Sequence, residues 1–138
     1  MRNLLLSFIL ITLSGMSVAE VCPTVQAIKR NQIQGWKAYD SDEGTLLSAK
    51  RTIQFKKDVA TFALAELSKP ETRKGSIHCY YSNESGAALE AYLAKNHQVK
   101  VANQLAWYKV TGAMHCAAPL HQCQFQATNQ PLHHLAKK

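Results

Sequence analysis

The chain has 138 residues, with 16 lysines and arginines against 9 acids, a formal net charge of +7, and 46% apolar residues. That length sets one domain with a modest core. Beyond the first turns of the chain no segment is apolar enough to span a bilayer, and no Gly-rich phosphate loop, His-Glu-x-x-His or Gly-x-Ser-x-Gly motif occurs.

The N-terminus has the three parts of a secretory signal in order. Arg2 gives the positive start. Leu4 to Leu13 gives an apolar run too short for a spanning helix. Ser17 and Ala19 put small residues at −3 and −1 of a cleavage site. Residues 1–19 are therefore expected to be a signal peptide, 20–126 a single exported domain and 127–138 a flexible polar tail. Glu20 and Val21 before Cys22 are poor replacements for the small residues of a lipid-anchor box. The mature chain keeps 15 basic and 9 acidic residues, a net charge of +6, which favours contact with anionic surfaces. In the sequence the basic residues are scattered.

In chain order, Pro23 with Thr24 to Arg30 reads as a short helix. Ile33 to Tyr39 reads as a strand, and Asp40 to Gly44 as an acidic turn. Residues 45–58 are ambiguous, with strand-like alternation at Thr52-Ile53-Gln54-Phe55. Val59 to Ser68 is apolar at both parities and leans to a buried strand. Lys69 to Gly75 is a loop. Ser76 to Ser82 is the clearest strand, Asn83 to Gly86 a hairpin turn, and Ala87 to Ala94 the returning strand, with helix as the alternative. Val99-Lys100-Val101 and Leu105 to Val110 add strands, and Gln124-Phe125-Gln126 reads as a short edge strand. The fold class expected is α+β: a short N-terminal helix packed on an antiparallel sheet of about five strands, disulfide-linked.

All four cysteines, Cys22, Cys79, Cys116 and Cys123, lie in the expected mature part. An even count in an exported chain reads as two disulfides with three possible pairings. Cys116–Cys123 is favoured, because Pro119 pre-bends the short loop between them. That leaves Cys22 for Cys79. Zinc is the competing use, with His115-Cys116-x4-His121-x-Cys123 offering four ligands. The spacing is not that of a Cys-x2-Cys knuckle and exported cysteines are normally oxidised, so no metal and no cofactor is expected.

Catalytic candidates are thin. His78, His97, Lys74 and Lys100 supply the residue types for ribonuclease-like chemistry, but no spacing selects them. Asn83-Glu84-Ser85 matches the N-glycosylation pattern. The aromatic residues are mostly expected in the core. Tyr80 and Tyr81 face opposite sides of one strand, so one of them is free. These two, with Arg73 and Lys74 beside them, are the candidate surface contacts.

Several motifs recur in a fixed order. They are Cys22-Pro23 with Ile28-Lys29, Gly35-Trp36-Lys37-Ala38, Gly75-Ser76-Ile77-His78-Cys79-Tyr80-Tyr81, Trp107, and Cys116-x6-Cys123-x-Phe125. The pattern, spanning about residues 22–125, resembles a family of small bacterial exported proteins catalogued as a domain of unknown function. The chain departs from it in Gln124, where Pro is expected, and in its His-rich tail. The resemblance implies a small β-rich domain in the periplasm or outside the cell, and carries no activity or catalytic residues with it.

The function these readings favour is an exported, non-enzymatic binding module, periplasmic or secreted. Its expected partners are an envelope or host protein or an anionic surface. The alternative is a small secreted hydrolase acting on an anionic polymer. If the signal is cleaved as read, N-terminal sequencing of the exported product starts at Glu20; a membrane-bound product starting at Met1 would contradict it.

Overall fold

The computed structural model of the protein describes residues 18–68, 74–95 and 97–131; the expected signal segment up to Ser17 lies outside them. The first secondary structure is α1, Val25–Lys29, whose N-cap Thr24 accepts the Ala27 N–H on its Oγ1 at 3.1 Å. Such a cap satisfies one of the backbone donors left over at a helix start. Strand β1, Trp36–Asp40, follows. It turns through residues 41–44, where Asp40 Oδ1 accepts the N–H groups of Asp42 and Glu43, both at 2.9 Å. Leu46 then bridges back to Tyr39.

Residues 49–58 form a helix, α2 (Ala49–Asp58), and not the strand that Thr52 to Phe55 suggested. The Ser48 hydroxyl caps it, accepting from Arg51 N–H at 3.2 Å. Within α2 only Phe55 is fully buried. Apolar side chains are few in this basic segment, so the short alternation at Thr52 to Phe55 masked its helical period in the sequence.

The remaining elements are strands: β2 (Thr61–Ser68), β3 (Lys74–Gly75), β4 (Ile77–Ser82), β5 (Ala88–Lys95), β6 (His97–Val101), β7 (Tyr108–Val110), β8 (Ala113–Cys116) and β9 (Phe125–Pro131). The fold is α+β. Its main sheet has six strands in the order β1-β5-β4-β2-β8-β7, all neighbours antiparallel, and a second sheet has the order β3-β6-β9. The strand read over Val59 to Ser68 is present as β2, beginning at Thr61, with Val59 serving as the C-cap of α2. Its double-sided apolar pattern has a cause: a register shift between Phe62 and Leu64 turns Phe62 towards Tyr81 on the core face, whereas Leu64 pairs with Tyr80. The edge strand β9 is longer than expected. It continues from Phe125 to Pro131, pairing Ala127 with Val99, so residues 127–131, read as the start of a polar tail, extend the sheet. Residues 132–138 lie outside the described residues.

Gly75 is fixed by space. A Cβ there would collide with the backbone oxygen of Ser68, where β2 and β3 approach closely.

The core lies between one face of the main sheet and a cover made of α1, α2, the N-terminal segment and the second sheet. Across five strands the core face carries, in register, Ala38, Leu93, Cys79, Ala65 and Cys116. The two disulfides are Cys22–Cys79 and Cys116–Cys123, and no cysteine is free. Both rise from that row into the cover. Tyr81 is also a core residue, 1% exposed, with its hydroxyl donating to the Pro23 carbonyl. Of the two adjacent tyrosines, it is therefore the one removed from any surface role.

The bridges close loops of very different length, 57 and 7 residues apart in sequence. On the chain-entropy account the long one contributes about 4 kcal/mol and the short one about 2 to 3 kcal/mol. Replacing Cys22 and Cys79 together by Ala should therefore lower the melting temperature further than replacing Cys116 and Cys123. Equal losses in thermal denaturation would show that loop entropy does not set their order.

Candidate functional site

Ionisable groups converge on the face of the main sheet opposite the core. The register there sets Lys37, Ala94, His78, Glu66, His115 and Tyr108 side by side across all six strands. Tyr39, Tyr92 and Tyr80 form the neighbouring row. Alternation along each strand requires this once the cysteine row is buried.

Glu66 is the hub. His115 Nε2 lies 2.9 Å from its Oε2, His78 Nδ1 3.4 Å from its Oε1, and the Tyr80 hydroxyl donates to Oε1 at 3.5 Å. Ser76 Oγ in turn lies 3.1 Å from His78 Nε2. The His78 ring stacks on Tyr92 with centroids 4.3 Å apart, and Tyr92 stacks on Tyr39 at 5.7 Å. Burial lowers the pKa of His78 below its ordinary value, with Glu66 opposing the shift. Burial also raises the Tyr80 hydroxyl far above the usual tyrosine range, Glu66 adding to it.

The order hydroxyl, imidazole, carboxylate is that of an acyl-transfer relay. An acyl-transfer site, however, needs oxyanion donors facing a substrate-sized cleft. Here the groups lie across a sheet, both Glu66 oxygens are engaged by neighbours, and the rings cover one another's faces. The arrangement is a self-satisfied polar network, which perturbs pKa values without implying catalysis.

The sequence-derived candidates fall apart in space. Tyr80 belongs to this polar face and Tyr81 to the core. Lys74 lies in β3, in register with Lys100 of β6, and Arg73 is outside the described residues. His78 and His97 sit in different sheets, His97 being opposite Pro131. Cys116 and Cys123 are bonded to each other and so offer no thiolate to a metal; His115, flanking them in sequence, turns to Glu66 instead.

A concave feature lies elsewhere, on the helical layer. A groove of about 540 Å³ runs between α2, β1 and the connections that flank them. Ile33, Trp36, Leu46 and Leu47 give it apolar walls, and Lys37 and Lys56 are its only ionisable lining residues. Outside it, α2 carries Lys50, Arg51 and Lys57 against Asp58 alone. Lys29 of α1 joins this surface by donating to the Lys57 carbonyl at 2.8 Å. The cations at the end of α2 are also favourably placed beside its terminal carbonyls. Asp40 is occupied by Arg51 at 2.6 Å. Its carboxyl is held below the usual range by the Glu43 N–H first, then by the Arg51 guanidinium and the Asp42 N–H. Leu46 and Ile53 are 60% and 56% exposed on the same layer. Sequence reasoning missed this surface because its residues come from separate segments. Only the basic excess of residues 50–57 pointed to it.

Such a small, disulfide-linked α+β domain with a helical cover is the class the fold defines. The chain belongs to the family described as Protein of unknown function (DUF3757), whose profile matches residues 17–126. No curated protein and no solved structure matches it. Two disulfides fit an oxidising, exported location, and no helix among the described residues is long and apolar enough to cross a membrane.

The polar face makes a pH prediction. A half-buried histidine with a depressed pKa stabilises the fold fully above about pH 6.5, where the unfolded chain is also neutral. That contribution is lost as pH falls from there through the folded-state pKa, because the unfolded chain binds the proton first. Denaturant unfolding of the wild type should thus weaken between pH 7.5 and 5.5, and His78→Phe should flatten part of that slope. In ring-proton NMR titration, Glu66→Gln should move the His78 pKa further down; an upward move would contradict the assigned role of Glu66.

Proposed function

We propose that the protein is an exported, non-enzymatic binding module that sets its helical layer against an anionic envelope surface. The observation that carries this reading is the composition of that layer. Basic residues scattered in the sequence gather on α1 and α2, with Ile53 and Leu46 exposed among them. A basic face with apolar side chains projecting from it suits a lipid headgroup region, where each nearby Lys or Arg contributes about 1 kcal/mol. Export is supported by the two disulfides and by the pairing of Glu20. The first residue after the expected cleavage point exchanges backbone hydrogen bonds with Phe125, at 2.7 and 2.9 Å, so a chain beginning there keeps its first anchor.

The test is co-sedimentation of the mature protein with phosphatidylglycerol and phosphatidylcholine vesicles. Binding should favour the anionic vesicles and fall steeply as salt rises to about 0.5 M. Lys50→Gln with Lys57→Gln should weaken it by about 30-fold, from about 1 kcal/mol per cation. Equal binding to both lipids, or binding indifferent to salt, would refute the reading.

A further inference from the structure

We infer that the turn before β7 is a membrane-entering tip, with Leu105 in the acyl region of an anionic bilayer, Tyr108 at the headgroup level and Lys109 on the phosphates. The inference rests on the reading above for the nature of the surface and adds the segment that enters it.

The segment Asn103-Gln104-Leu105-Ala106-Trp107-Tyr108-Lys109 leaves two large apolar side chains in water. Leu105 is 100% exposed and Tyr108 49%. A single exposed leucine is ordinary on a protein surface, but here the backbone beneath it is fixed. Gln104–Ala106 is a 3-10 turn, closed by the Ala106 N–H on the Asn103 carbonyl at 3.3 Å. After it, Trp107 is buried and its Nε1 donates to the Gln124 carbonyl at 3.0 Å. Before it, the Ala102 N–H reaches the same carbonyl at 3.0 Å, and Asn103 Nδ2 reaches the Gln122 carbonyl at 3.2 Å. Both acceptors flank Cys123, whose bridge to Cys116 holds that loop. Leu105 thus stands on a built platform and contributes no burial to the domain that carries it.

Charge and area select the occupant. No acidic residue follows Glu90 in the chain, so β6, β7, β8, β9 and the loops between them carry no acidic side chain. Lys109 is exposed beside Tyr108 and has no acidic partner among the described residues. The acid in register with Tyr108 is Glu66, two strands away, and His115 stands between them and engages it at 2.9 Å. A cationic edge of this kind is drawn to anionic lipid. A stable protein partner would cover about 800 Å² on each side, more than a leucine and half a tyrosine supply. A bilayer takes a projecting side chain without a matching pocket. Leucine is favoured in the hydrocarbon and tyrosine at the interface, which is their order on this tip. The main sheet ends with β7 at the edge opposite β1, so the tip is distinct from the groove between α2 and β1.

An environment-sensitive dye tests the inference. All four native cysteines are paired, so nitrobenzoxadiazole on the mature Leu105→Cys variant reports one site. With vesicles of phosphatidylglycerol and phosphatidylcholine, its emission should move to the blue and be quenched by lipid carrying a nitroxide on the acyl chain. The same dye on Lys37→Cys, at the opposite edge of the sheet, should do neither. In co-sedimentation Leu105→Ser should weaken binding about tenfold and Lys109→Gln about fivefold, at an unchanged melting temperature. Leu105→Trp should bind like the wild type, since a bilayer accepts either apolar shape. A dye at residue 105 that stays in water on vesicle-bound protein, or full binding by Leu105→Ser, overturns the tip and leaves the helical-layer reading standing. Equal losses in Leu105→Ser and Leu105→Trp would reveal a shape requirement that no bilayer imposes and also overturn it. Entry of the dye, with binding indifferent to Lys50→Gln and Lys57→Gln, would support the tip and remove the helical layer from the contact.

Discussion

The fold is organised around Ala65. On β2 this fully buried residue has Cys79 of β4 opposite it on one side and Cys116 of β8 on the other. Each cysteine leaves the sheet through a disulfide, one to Cys22 ahead of α1 and one to Cys123 ahead of β9. The two covalent links therefore stand side by side on one core face. They fasten the N-terminal and C-terminal parts of the cover to adjacent strands of the same sheet. A small side chain at residue 65 leaves room for both, and a larger one would overpack a close-packed interior. In a domain this small, links of this kind offset the limited apolar area available to a single core.

This arrangement sets which face the neighbouring strand residues take. Strand alternation forces His78, Glu66 and His115 onto the other face once Cys79, Ala65 and Cys116 are turned inward. A carboxylate placed there, with the imidazoles 12 and 49 residues away in sequence, is partly withdrawn from water and must be bonded. The histidines and Tyr80 do this. Aromatic stacking along Tyr39, Tyr92 and His78 then covers the ring faces. Strand geometry and polar satisfaction account for how this cluster is assembled.

Most of the strand layout was legible because it depends on local patterns. His78 and Cys79 face opposite ways as alternation requires, Asn83 to Gly86 makes the hairpin turn, and the short loop around Pro119 is closed by Cys116 and Cys123. Three things were not legible, for physical reasons. Helix α2 carries few apolar side chains, so a chance alternation at Thr52 to Phe55 obscured its helical period; its Ser48 cap was the available clue. The continuation of β9 to Pro131 is held by backbone pairing with β6 and by Thr128 donating to the Gln98 carbonyl at 3.0 Å, neither of which needs an apolar pattern. Glu66 stood out in no motif, because its three partners meet it only after β2 has been placed between β4 and β8.

The division of charge follows from the same architecture. Helices that cover a core through one side chain each, Ile28 of α1 and Phe55 of α2, have most of their circumference left in water. That exposed side can hold several cations at little cost, since exposed like charges are well solvated and screened. The polar sheet face cannot do the same. Its groups are half-buried and closely spaced, so an unpaired cation there would bear a desolvation penalty, and its histidines instead gather around one acid. Net charge read over the whole chain averages these two regimes and conceals the difference. The basic excess therefore becomes informative only when divided between the layers, and the helical layer is where cations outnumber acids.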